Sequence, residues 1–198
     1  MSILQDAHVS FLLADYAGND AAGKLNVIGG GIAFLGTQPD GASTPFTLIA
    51  RVEVPSKYVN QSYALSIELH DVTIGQVVRL PGEGGQLQPL RAQQVVNVTP
   101  IMVPQGAAVP DDALVATTMI MNFVQGLPLP QGHSFEWKLQ IDGQHRQGWW
   151  HRFHVLGPAP GPVFGGPTGP AAIPGVGEYI VDSQTDEPPG EPQEPPRD

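Results

Sequence analysis

Three sets of residues in this 198-residue chain have side chains or spacings that could do chemistry: a run of glycines, a group of histidines and several acidic pairs. Gly29-Gly30-Gly31 follows an apolar run, which is where a phosphate-binding loop would stand. However, residues 32–36 continue as a strand pattern, and without a helix N-terminus an anion site is not expected. The sequence therefore predicts that Gly29, Gly30 and Gly31 mark a β-bulge or a close approach of another backbone or side chain.

The histidines gather near the end of the predicted domain, at positions 133, 145, 151 and 154. His151 and His154 are three residues apart on a predicted strand, so they point to opposite faces, whereas a metal pair on one strand needs a spacing of two. No carboxylate stands at ligand spacing beside these histidines. We therefore expect surface or partly buried histidines, with no metal and no other cofactor.

The acidic pairs and the serines do not form a recognisable catalytic pattern. Asp111-Asp112 and Asp186-Glu187 lack the regular ligand intervals of a calcium loop. The serines lack the context of a nucleophile elbow. Cysteine is absent, which excludes disulfides, thiolate zinc sites and cysteine nucleophiles. The chain is accordingly predicted not to be an enzyme.

The elements that position these residues are predicted to be short strands. Apolar residues alternate with polar ones over Phe46–Val54, Tyr63–Leu69 and Ser134–Ile141, as expected for strands with one buried face. Breakers separate the strands, and no helical repeat of ten or more residues is found. The predicted strands are His8–Asp15, Leu25–Leu35, Phe46–Val54, Tyr63–Leu69, Ile74–Leu80, Leu90–Val98, Leu114–Val124, Ser134–Ile141 and Trp149–Leu156.

This pattern predicts an all-β fold, an antiparallel two-sheet β-sandwich of the Ig-like or jelly-roll-like kind. The stretch Phe11–Leu35 is interpreted as the first hairpin, with the triple glycine inside its second strand. Trp137 is expected in the core, beside Phe135 and Leu139. Of the adjacent Trp149 and Trp150, one is expected to be exposed or covered by the C-terminal tail.

The composition changes sharply after Leu156. Residues 157–198 contain 11 of the 21 prolines and 8 of the 24 glycines, with seven acids and one base. Prolines remove backbone donors, so this segment is expected to be extended. The sequence thus predicts a β-sandwich domain over residues 1–156 and a Pro/Gly-rich acidic arm over residues 157–198. The candidate anchors of the arm on a neighbouring subunit are its apolar residues Val163, Phe164, Ile173, Tyr179 and Ile180.

Charge limits the kinds of partner. The net charge is −10, and no basic patch with interleaved aromatic residues is present, which argues against nucleic-acid binding. The N-terminus has no positive charge before its apolar run, and no apolar run approaches a membrane span, so we expect folding in a cytosol. Charged residues make up only 14% of the chain, which suits a β-rich fold and also a protein that contacts other proteins.

Two stretches carry a family resemblance, FLLADYAGNDAAGKLNVIGGG near the start and LPLPQGHSFEWKLQIDG near the end of the domain. Together they resemble a family of uncharacterised small β-sandwich proteins of actinobacteria, related bacteria and their phages. The resemblance extends to about Leu156 and leaves the arm unmatched. It implies the fold and a strand–turn–strand unit around GKLNVIGGG, and it implies no catalytic residue.

These observations predict a non-enzymatic virion structural protein, a phage capsid decoration or accessory protein. Its expected partners are other protein subunits, namely the major capsid protein and copies of itself, with no nucleic acid and no membrane. It would be assembled in the host cytoplasm and reside in the virion. The alternative is a bacterial cytoplasmic β-sandwich module whose end loops, such as Gln38–Thr44 and Pro81–Gly85, hold a small ligand or peptide.

Overall fold

The computed structural model describes residues 2–157, except residues 22, 101, 102 and 105. This part of the chain is built mostly of strands, with a four-residue helix α1 (Ile3–Asp6) and two 3-10 turns, Ser56–Tyr58 and Glu83–Gly85. The predicted all-β class is confirmed. The strands are β1 His8–Ala14, β2 Tyr16–Asn19, β3 Leu25–Ile28, β4 Phe34–Leu35, β5 Phe46–Pro55, β6 Ser62–Asp71, β7 Gln76–Val77, β8 Arg79–Pro81, β9 Leu87–Pro89, β10 Arg91–Asn97, β11 Leu114–Phe123, β12 Ser134–Ile141 and β13 Trp150–Val155.

Two main sheets organise the described strands. A three-stranded antiparallel sheet has the order β1-β5-β11, and a six-stranded sheet has the order β10-β6-β12-β13-β4 with β7 beside β6. Pairing within the larger sheet is antiparallel except between β13 and β4. Two small hairpins, β2–β3 and β8–β9, form separate two-stranded sheets. The predicted strand Ile74–Leu80 is divided between β7 and β8, and residues 81–85 lie at the tip of the β8–β9 hairpin.

Side chains from both main sheets meet in one hydrophobic core. The Phe46 ring on β5 lies 6.0 Å from the Phe153 ring on β13, and the Phe123 ring on β11 lies 5.6 Å from the Trp137 ring on β12. Trp137 is fully buried. Removing a side chain of this size from water contributes roughly 1.5–3 kcal/mol to folding. The alternating residues of β6 and β12 supply much of the rest of the core: Tyr63, Leu65, Ile67, Leu69, Phe135, Leu139 and Ile141.

The predicted opening hairpin is wrong in its pairing. β1 pairs with β5 along all seven of its residues, and β3 pairs with β2, which occupies part of the predicted turn. The turn-favouring pair Gly18-Asn19 instead extends as strand, and the polypeptide bends at Asp15. Alternation indicates which side chains are buried, but it carries no information about which strand lies alongside.

The β2–β3 hairpin covers part of the outer face of the three-stranded sheet. Ala14, Ala17 and Ile49 are buried there, away from the main core, with Leu12 and Ile120 packed against them. The hairpin therefore forms a second, smaller buried cluster on the face of β5 that carries Ile49. No helix in the described ranges is long and apolar enough to cross a membrane.

Candidate interaction surfaces

The triple glycine lies in the connection between β3 and β4, here called the crossing, and not in the middle of one strand. β3 ends at Ile28, and the predicted continuous strand Leu25–Leu35 is interrupted. Gly29 and Gly31 have φ values of +65° and +94°, which non-glycine residues rarely adopt. The backbone N–H groups of Gly31 and Ile32 donate to the Leu13 carbonyl at 2.9 and 3.1 Å. The crossing is thus bonded directly to β1.

Gly30 is closely packed in this crossing, as is Gly29, where an added Cβ would overlap the Asp15 side chain. A Cβ atom at Gly30 would lie 3.1 Å from a methyl carbon of Leu12 and 3.5 Å from one of Val27. The position therefore favours a residue without a side chain for reasons of packing, since its φ is not positive.

Three of the four histidines near the end of the domain are held by separate partners. His133 Nδ1 lies 2.7 Å from Asp71 Oδ2, and His154 Nδ1 lies 2.8 Å from Ser134 Oγ. His145 Nδ1 lies 2.8 Å from the Leu139 carbonyl oxygen, to which it is hydrogen-bonded. Among the residues that the structure describes, no group of three or more His, Asp or Glu side chains could hold a metal ion.

His151 stands in a more apolar position than the other three. Its ring lies 6.4 Å from the Phe11 ring, and its Nε2 is buried without a hydrogen-bond partner in the described structure. Burial lowers the pKa of His151 from its ordinary value of 6.5, because the buried ring loses the water that would stabilise its charged form. The neutral ring therefore serves as packing between β1 and β13.

The outer face of the six-stranded sheet carries a network of acids and bases. Glu68 accepts hydrogen bonds from Arg91, whose Nε is 2.8 Å away, and lies 2.9 Å from His70 Nε2. Glu136 accepts two bonds from Arg152, at 3.0 and 2.5 Å. Both glutamates are only 7% exposed, so these partners satisfy carboxylates that water barely reaches.

Trp150 lies on this same face, next to the bases. It pairs with Lys138, and the Arg152 guanidinium lies 5.4 Å from the centre of its ring. The side chain is 42% exposed, whereas neighbouring Trp149 is buried, so the two tryptophans lie on opposite sides of the chain.

A groove of about 490 Å³ opens along the β10 side of this face. Its walls include the cross-strand row Gln93, Ser66 and Gln140, with Arg91 and Val95 beside them. The lining combines amide and hydroxyl groups with some apolar surface, and it contains none of the aromatic side chains common in small-molecule pockets.

A second surface, the hairpin patch, consists of Tyr16, Ile28 and Val124. Tyr16 and Ile28 are a cross-strand pair of the β2–β3 hairpin and are 56% and 64% exposed. Val124 follows β11, is 76% exposed, and shares a groove of about 230 Å³ with Tyr16. Exposed apolar side chains that cluster are typical of protein contacts.

The loop Gln38–Thr44, predicted as a ligand-holding end loop, is tied into the fold at Ser43, and its role in ligand binding stays a prediction. Ser43 is fully buried, its N–H donates to the Leu127 carbonyl at 2.8 Å, and its Oγ accepts from the Leu127 N–H at 3.0 Å. Gln38 Nε2 donates to the Ser43 carbonyl at 2.7 Å. Sequence reasoning missed this pair of hydrogen bonds between Ser43 and Leu127, here called the Ser43 latch. The two residues are 84 positions apart, and neither lies in a periodic pattern.

The predicted arm anchors, Val163, Phe164, Ile173, Tyr179 and Ile180, lie outside the described residues. Their role stays a prediction, as does the domain boundary after Leu156. Comparison of the chain with protein-family models, with curated proteins and with solved structures found no match. The resemblance to small β-sandwich proteins of actinobacteria and their phages therefore also stays a prediction.

Proposed function

We propose that this chain is a non-enzymatic structural protein of a virion, a capsid decoration or accessory protein that binds neighbouring subunits. The observation that carries the proposal is the hairpin patch of Tyr16, Ile28 and Val124. The proposed architecture is a β-sandwich of the two main sheets, followed by the Pro/Gly-rich acidic arm of residues 157–198.

The hairpin patch supports contact with another protein because its exposure is not forced by the fold. Tyr16 and Ile28 lie on one face of the β2–β3 hairpin, whose two strands have four residues each, and Ala17 is buried on the other face. Polar residues in these two positions would leave that packing unchanged. When a partner covers an apolar cross-strand pair that is otherwise in water, the free energy of the complex falls by about 25 cal/mol per Å² of apolar area buried.

The virion assignment is supported by the sequence. The chain has no cysteine, few charged residues and a proline-rich acidic end, and two of its motifs resemble a phage-associated β-sandwich family. A decoration protein needs a stable small domain, an apolar contact surface and a segment that reaches a neighbour. The described domain supplies the first two, and the arm would supply the third.

The test is sedimentation of the full chain with virus particles from its native source. We expect the wild-type chain to co-migrate with particles. Tyr16→Ser should weaken this association about 10-fold or more, as removal of a central aromatic contact does. Leu87→Ser is the matched control, because Leu87 is 61% exposed on β9, in a different hairpin. A wild-type chain found only among free proteins would refute the proposal.

The second candidate, a cytoplasmic binding module, is favoured by the groove on the six-stranded sheet. Here the ligand would contact Ser66, Gln93 and Gln140 and not the end loops. A ligand that raises the unfolding temperature of the wild-type chain but not of Gln140→Ala would favour this candidate. Genes for capsid, portal and protease beside this gene would favour the virion.

A further inference from the structure

Strand β11 is a free sheet edge without the usual protection. All ten of its residues pair with β5 on one side, and among the described residues no other strand pairs with β11; its one further backbone hydrogen bond is the turn bond from the Gly126 N–H to the carbonyl of the terminal residue Phe123. Its sequence, LVATTMIMNF, contains no charged residue and no proline. Natural sheet edges are usually blocked by charges, prolines or bulges, and an unblocked edge is a template for a further strand.

The core beside this edge is incompletely covered. Met119 and Met121 are paired with Ala50 and Leu48, which are 1% and 0% exposed, yet both methionines remain partly exposed. Their side chains face the core from the open side of the sheet. A strand added to β11 would cover them.

The six-stranded sheet also extends beyond the three-stranded one on this side. Across the core, Phe46 of β5 contacts Phe153 of β13, and Phe123 of β11 contacts Trp137 of β12. One step further in the same direction lie β6 and then β10. On β10, Gln94 is exposed although its pairing partner Leu65 is buried in the core. The β6 residues that face the core here are already buried, so a fourth strand beyond β11 would add cover at its margins, over Gln94 and over the partly exposed Met119 and Met121.

The C-terminal arm contains one segment suited to that position. Residues 175–187 are its only proline-free run longer than four residues, and GEYIVD at 177–182 has strong β-forming residues at its centre. In a strand, Tyr179 and Val181 would point to one face, with Glu178, Ile180 and Asp182 on the other. This alternation provides an apolar face for Met119 and Met121, and an outward face on which two acids flank Ile180.

We propose that residues 177–182 of one copy of this chain add as a fourth strand to β11 of a second copy. Main-chain hydrogen bonds would provide affinity, and Tyr179 and Val181 would provide specificity, as in other cases of strand addition. The proposal rests on the proposed role as an assembly subunit and names the segment that joins its copies.

Chain geometry favours a second copy over the arm's own domain. Phe123 at the end of β11 and Phe153 near the end of β13 both contact Phe46, so the chain leaves β13 close to β11. The 19 residues from 158 to 176 include six prolines. If extended, a chain of that length reaches about 60 Å. A short connector would suffice for pairing within one molecule, whereas a long one reaches a neighbour.

The absence of cysteine makes a cross-linking test clean. Full-length Thr118→Cys and full-length Ile180→Cys are mixed and treated with a short bis-maleimide, because directly opposed and diagonal positions of paired strands are about 4.5–8 Å apart. We expect a covalent dimer from the mixture and not from either variant alone. Ser10→Cys, an exposed position on the opposite edge strand β1, replaces Thr118→Cys as control and should yield no dimer with Ile180→Cys.

Each other outcome overturns the proposal. A dimer from Thr118→Cys alone would mean that β11 pairs with another β11. A chain carrying both cysteines that cross-links only within itself would mean that the arm folds back on its own domain. The absence of any cross-link in the mixture would mean that the edge stays free.

A second measurement separates this proposal from the proposed function. We expect the wild-type chain to show a mass increase by light scattering at high concentration. Ile180→Pro removes a backbone donor from the added strand without changing the described domain, and it should abolish that increase. Thr168→Pro, outside the strand segment and not among the candidate anchors, should leave that increase unchanged. If Ile180→Pro still self-associates, the strand proposal fails. If the wild-type chain self-associates but does not sediment with particles, the virion role fails instead.

Discussion

Replacing Gly126 by alanine should destabilise the domain far more than the same change at Gly132. Gly126 has a φ of +69°, and an added Cβ would overlap the Ser43 carbonyl group, lying 2.8 Å from its carbon. Gly132 has a φ of +74° with no atom within 4 Å of an added Cβ. Both changes impose the left-handed conformation on alanine, so their difference isolates the clash.

The magnitude follows from what the clash displaces. The left-handed conformation costs alanine about 1–2 kcal/mol at either position. Ser43 is fully buried, and moving it strains its two hydrogen bonds with Leu127, each of which contributes about 1 kcal/mol. We therefore expect Gly126→Ala to lower the free energy of unfolding by about 3–4 kcal/mol, and Gly132→Ala by about 1–2 kcal/mol.

Urea unfolding of the two full-length variants, followed by the fluorescence of the buried Trp137 and Trp149, measures the difference directly. Equal losses of stability in the two variants would refute the reasoning, because Ser43 would then move away from the added methyl group without lowering the free energy of unfolding. A loss in Gly126→Ala smaller than in Gly132→Ala would also contradict it.

Two further perturbations test other parts of the described structure. Gly30→Val should lower the free energy of unfolding by about 1–3 kcal/mol, because its methyl groups crowd Leu12; unchanged urea unfolding would contradict the packing at this crossing. Burial lowers the pKa of His151 below 6.5, so the unfolded chain binds more protons below that pH, and the free energy of unfolding falls as the pH drops through that range. His151→Phe should flatten part of this fall below about pH 7 in urea titrations. Equal slopes in the wild type and in His151→Phe would exclude burial of His151 as the cause.

The burial of individual strand faces could be predicted from the sequence. Tyr63, Leu65, Ile67 and Leu69 alternate in the sequence and are all buried, because strand geometry sends alternate side chains to opposite faces whatever lies alongside. The full burial of Trp137 follows from the same local rule. The close approach at the triple glycine was also indicated, because few other roles explain three glycines beside a strand.

Strand partners could not be predicted in the same way. β1 pairs with β5, whose residues lie some 30 or more positions along the chain, and the expected pairing with the segment from Leu25 was wrong. The cost of closing a loop rises only slowly with its length, so nearby and distant partners compete on nearly equal terms. The choice depends on the combined packing of all strands, which local pattern does not contain.

The sequence by itself determined the all-β class of this protein and the buried face of most strands, since both depend on local periodicity. Only the tertiary structure showed that Ser43 latches to Leu127, that Glu68 and Glu136 are nearly buried among bases, and that β11 has a free edge. Each of these features depends on segments that are distant in the chain and adjacent in space. The candidate interaction surfaces consist of such features, because a surface is created by the neighbours that the fold brings together.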